Sequence, residues 1–143
     1  MTRFYVTAPN PRPVIHLPIA FLWRAGQNVD TDGDCDHPLS RDWTDLYIKN
    51  REQPDEPPVD VSPLQSSPLI LTVESQSASL ATRLAYFLAV SVQGEVSRKP
   101  DGGFASPDTL LSELGNFDVD AAMRRVAESP YLQATRKDGP PLG

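Results

Sequence analysis

The chain holds one cysteine and two histidines among its 143 residues. Cys35 alone cannot close an internal disulfide, so the chain is not a bridge-stapled secreted scaffold. Cys35 and His37 together supply two of the three or four ligands that zinc needs. His16 is the only other histidine and no Cys-x-x-Cys is present, so no metal and no other cofactor is expected. No apolar run reaches the roughly 20 residues of a membrane-spanning helix. The longest, residues 78–92, is broken by Thr82, Arg83 and Ser91. Residues 1–6 carry one positive charge but no apolar core or cleavage site, so no signal peptide is read and the cytosol is the expected compartment. Enzyme fingerprints are missing as well: there is no G-x-S-x-G, P-loop, G-x-G-x-x-G or H-E-x-x-H. A chain that acts without catalysis is expected.

What the chain has is acid, and it is concentrated. Residues 30–60 hold ten carboxylates against Arg41, Lys49 and Arg51, a net of −7 in a chain whose total is −6. Charge this one-sided creates a local field that attracts basic partners and repels nucleic acid. A basic protein partner is therefore expected, and neither nucleic acid nor membrane.

The length suits one domain, placed at residues 1–132 with an acidic, proline-rich surface segment at 26–68. Residues 1–7 read as a strand. Residues 14–23 are apolar and β-branched and read as a second strand, with Pro18 marking an edge or bulge. A third strand is assigned to residues 43–50. Five prolines in 54–68 exclude helix there and predict an extended surface connector. Residues 69–73 form a near-continuous apolar run, the pattern of a strand buried on both faces. Ser75 or Ser77 then caps a helix whose apolar face is Leu80, Leu84, Phe87, Leu88 and Val92. Gly94 occupies the place of a left-handed C-terminal residue. A strand and hairpin follow at 95–104, making a βαβ-type unit with parallel strands. Ser106-Pro107-Asp108 starts one short helix ending at Gly115, and Asp118 or Asp120 starts another. The tail 133–143 has little to bury and is expected to be mobile. The fold class is α+β: a single mixed β-sheet with helices mainly on one face.

Asn28-x-Asp30-x-Asp32-Gly33 matches the opening of a calcium loop. The twelfth position is Leu39, where a bidentate glutamate belongs, so a solvated acidic turn is the simpler reading and a calcium-stabilised module the alternative. Asp30, Asp32, Asp34, Asp36, Asp42 and Asp45 are the candidate partner-binding acids, with Trp43 and Tyr47 as aromatic anchors among them. A pocket near Glu74, serving a small enzyme or ligand-binding domain, is a further alternative, since α/β folds place functional groups at strand ends.

Leu69-Ile70-Leu71-Thr72-Val73-Glu74-Ser75, the helix over 78–92 and Gly94-Glu95-Val96 together resemble a pattern common in small bacterial toxin-immunity proteins. The similarity covers residues 68–104. It implies a protein that neutralises a cognate toxin by covering its active site, and it assigns no individual residue.

Overall fold

Alternation decides the sheet. In the first strand, β1 (Thr2–Thr7), Phe4 and Val6 are fully buried while their neighbours point the other way. The computed structural model describes residues 1–24, 26–34, 37 and 39–132. The readings of Cys35, Asp36 and the tail 133–143 lie outside them. Elements follow as α1 (His16–Leu22), β2 (Val29–Gly33), β3 (Leu46–Asn50), β4 (Val59–Ser66), β5 (Leu69–Ser75), α2 (Ala78–Val92), β6 (Val96–Ser97), a 3₁₀ segment (Pro107–Glu113) and α3 (Val119–Ala127).

The fold is α+β, with one six-stranded sheet in the order β2-β3-β4-β5-β1-β6. Every pair of neighbours is antiparallel, so the sheet is not mixed. β5 and β6 are both antiparallel to β1 and hence run in the same direction, as the strand-helix-strand pattern predicts. They are not neighbours, however, because β1 lies between them. Insertion of a strand from the other end of the chain is a long-range event that no local pattern announces.

Residues 14–23 form a helix instead of a strand. Leu17, Pro18, Phe21 and Leu22 are its buried face. Pro18 sits in the first turn, where no N–H is needed because the first four have no intrahelical acceptor. Arg125 of α3 closes the far end, its Nε and Nη2 donating to the carbonyls of Ala20 (2.8 Å) and Phe21 (2.9 Å).

The proline-rich stretch is likewise more than a connector, for β4 stands in the middle of the sheet with Val59 and Val61 in the core. Pro63 is accommodated where the register shifts between Pro63 and Gln65 and where β3 no longer pairs with β4. β5 is fully covered on one face by Leu71 and Val73, while on the other Ile70 is buried and Thr72 and Glu74 are half-buried.

Helix boundaries follow their chemistry. Ser77 Oγ accepts from Leu80 N, Ser106 Oγ from Asp108 N, and Asp118 Oδ1 from Ala121 N. The segment after Pro107 is 3₁₀ rather than α. At the end of α2 the left-handed residue is Gln93 (φ 55°), not Gly94. Gly94 answers a different need, since a Cβ there would lie 1.8 Å from the Thr7 carbonyl oxygen. The inward sheet residues and the buried faces of α1, α2 and α3 form one core.

The residues just after α3 meet α1 through rings. His16 stacks flat on Tyr131, centroids 3.7 Å apart and planes 4° from parallel. Its Nδ1 is buried without a hydrogen-bond partner among the described residues, and burial lowers its pKa. The unfolded chain therefore takes up this proton more readily than the folded one. The stability due to neutral His16 is complete above the ordinary imidazole value of about 6.5 and is lost as pH falls from there through the lowered value. His16→Phe, which keeps a stacked ring, should flatten the fall in urea midpoint between neutral pH and pH about 5. An unchanged slope would show that His16 is not the group responsible.

Candidate functional site

The core uses one face of the sheet, and side chains on the other face follow from strand register. Arg3 pairs with Glu74, Glu74 with Asp60, Asp60 with Tyr47, and Tyr47 with Asp32. These residues alternate with Phe4, Val73, Val61, Leu46 and Ile48 in the core, so they form one row across five strands on the outward face. The helices pack into the core on the opposite side. Asp32, Asp45, Tyr47, Asp60, Ser62 and Glu74 line a shallow concavity of about 410 Å³ on this face.

The carboxylates here are poorly compensated. Glu74 Oε2 accepts from Arg3 Nε at 2.7 Å, and at the edge Asp30 pairs with Arg51 at 2.9 Å. Both pairs are exposed, where water screens them. Lys49 faces the same way as Asp30, yet its Nζ donates to the carbonyls of Gln53, Pro54 and Glu56, holding the turn before β4. Asp60 has no ion pair among the described residues. Loss of hydration raises its pKa, and repulsion from Glu74 adds to the effect.

The candidate acids divide into three groups. Asp30, Asp32 and Asp45 belong to the acidic face or its rim, and Tyr47 is 37 % exposed among them. Asp34 and Asp42 instead serve the loop before β3. Asp34 Oδ1 accepts from Thr44 N (3.0 Å) and Asp45 N (3.2 Å), and Asp42 Oδ1 accepts from Ser40 Oγ (2.8 Å). Asp36 lies outside the described residues. Trp43 is not a surface anchor: it is 0 % exposed, and its Nε1 donates to the Pro13 carbonyl at 2.8 Å. An aromatic ring of that size next to a proline-rich connector fills core space more favourably than it meets solvent.

The calcium-loop spacing meets a different geometry. Asp30 and Asp32 lie on an extended strand rather than around a cation, and Asp30 is taken by Arg51. No group of three or more His, Cys, Asp or Glu among the described residues is placed to hold a metal.

Asp60 and Arg3 are the members of the row that the candidate set missed. The alternation Val59-Asp60-Val61 carried the signal for Asp60, but the surrounding prolines masked it. Glu74 was the expected centre of a pocket, and it does line the concavity. No family model matches this chain, and no curated protein and no solved structure shows significant similarity to it. Among the described residues no helix is long and apolar enough to cross a membrane.

Proposed function

We propose that this chain is a non-enzymatic binding protein whose helix-free acidic sheet face receives a basic surface of another protein, as an immunity-type inhibitor receives a toxin in the cytosol. The row Asp32–Tyr47–Asp60–Glu74 is the supporting observation. A flat sheet face without helices offers area, Tyr47 offers a ring that loses little entropy on contact, and the carboxylates offer a field. The raised pKa of Asp60 adds a specific argument. A lysine or arginine lodged in the concavity would relieve its repulsion from Glu74 and favour the ionised form. Binding would then release a proton wherever Asp60 is partly protonated, so affinity should weaken as pH falls through the raised pKa of Asp60.

The experiment uses the full chain as bait in native lysate at low salt, followed by association kinetics with the protein retained. Neutralising the row in an Asp32→Asn, Asp60→Asn, Glu74→Gln variant should slow association roughly 10- to 100-fold at low salt, with the difference shrinking as salt rises. An equal association rate for the variant at every salt concentration, or a partner that is not basic, sinks the proposal.

The concavity around Glu74 also supports a second reading, a small polyvalent amine as ligand. Spermidine titrated into the chain would shift the amide signals of Tyr47 and Asp60 at micromolar concentration under that reading. A response only at high millimolar concentration would return the face to a protein partner.

A further inference from the structure

On the helical side of the molecule lies a second cavity, of about 390 Å³, between α1 and the end of α3. Its chemistry is the reverse of that of the sheet face. Among the described residues Arg24 and Arg125 line it with only Glu128 of opposite charge, so that part of its wall is net positive on a chain of net −6. None of the three takes part in an ion pair among the described residues. Arg125 is fixed by the two bonds that close α1, which commit two of its five N–H groups and leave the remainder for another acceptor. Arg24 is exposed and close enough to oppose the charge on Arg125, whose pKa is lowered first by burial and then by that repulsion. An anion bound beside the two guanidiniums would remove that opposition.

The rest of the wall is rich in rings, with Gln27 and Ser129 as its uncharged polar members. Trp23, the stacked pair His16 and Tyr131, and Ile19 contribute to it. The indole N–H of Trp23 is already committed to Glu56 Oε1 at 3.0 Å, so what Trp23 has left to offer a ligand is ring surface. Flat rings stack on such surfaces, and a guanidinium matches a carboxylate in plane and spacing. The volume lies at the lower end for small-molecule pockets, and a single net positive charge suits a monoanion better than a polyphosphate. We propose that this pocket binds a small aromatic carboxylate, with Arg24 and Arg125 holding the carboxylate and Trp23 and the His16–Tyr131 pair flanking the ring. This site is independent of the acidic face.

Three probes separate charge from shape: 2-naphthoate, its neutral analogue 2-naphthamide, and the non-flat cyclohexanecarboxylate. Each is titrated into the full chain while the indole N–H resonances of Trp23 and Trp43 are followed. The naphthoate should move the Trp23 signal and bind roughly ten-fold or more tighter than either control, as expected for charge-assisted hydrogen bonds. Arg24→Gln alters an exposed side chain that makes no ion pair among the described residues, and it should weaken naphthoate binding by about five-fold while leaving naphthamide unchanged. Equal affinity for naphthoate and naphthamide, an unchanged affinity in Arg24→Gln, or no movement of Trp23 at millimolar probe would each overturn the proposal.

Discussion

Trp43→Ala should lower the unfolding free energy by about 3–5 kcal/mol, a large part of the roughly 5–15 kcal/mol that holds a domain of this size together. Trp43 is completely buried, and its indole N–H holds the Pro13 carbonyl. Its own carbonyl accepts from Arg12 Nε at 2.8 Å, and Arg41 Nε donates back to the Arg12 carbonyl at 3.0 Å. The ring therefore pins the proline-rich connector after β1 to the loop that leads into β3. Removing it leaves both a cavity and an unpaired carbonyl. Trp43→Phe separates the two effects: much of the volume stays, the hydrogen bond goes, and a loss of about 1–3 kcal/mol is expected. Urea unfolding followed by circular dichroism measures both variants. A midpoint unchanged in Trp43→Ala would mean that Trp43 contributes nothing to the core.

Gly94→Ala is the second large effect. The added methyl would meet the backbone of β1, 1.8 Å from the Thr7 oxygen and 2.9 Å from its carbonyl carbon. Backbone cannot rotate out of the way as a side chain can. Around this point Thr7 N donates to the Glu95 carbonyl (3.0 Å) and Glu95 N to Thr7 Oγ1 (2.8 Å). Relief requires either that these bonds open or that α2 shifts on the sheet. Overpacking and the lost bonds together should cost about 3 kcal/mol or more. Gly102→Ala is the matched control, because nothing lies within 4 Å of its Cβ position. Thermal melts should separate the two variants clearly, and similar melting temperatures would refute the close contact.

The second half of the chain was legible because its signals are local. Ser77, Pro107 and Asp118 each act on a helix within three residues of themselves, and the apolar run of β5 adjoins the helix it feeds. The first half was misread where local and distant demands diverge. Pro18 suggested a bulged strand, yet a proline in the first turn of a helix violates nothing. β2 passed for a loop because Asp30 and Asp32 disfavour strand, although charged side chains are what protects a sheet edge from unwanted pairing. β4 was hidden among prolines while Val59 and Val61 alternated inward.

The site shows the same division. The local excess of carboxylates is a matter of counting, but their arrangement depends on register. Asp60 stands opposite Glu74 because β4 pairs with β5, and opposite Tyr47 because β3 pairs with β4. Trp43 and Tyr47 are four residues apart with similar neighbours in sequence. Only the strand start at Leu46 decides that Tyr47 faces outward, and only the Pro13 carbonyl, thirty residues upstream, explains why Trp43 is buried.

The seat of β1 between β5 and β6 also governs the order in which the molecule can be assembled. β1 is synthesised before both strands that flank it, and the last of these ends at Ser97. At about 5–20 residues per second, β1 waits roughly 3–14 s for β5 to be made and roughly 5–20 s for β6. The sheet cannot grow outward from its N-terminal strand. β1 can pair only once β5 exists, and β6 then closes its other edge, so β1 is seated after strands that follow it in the chain.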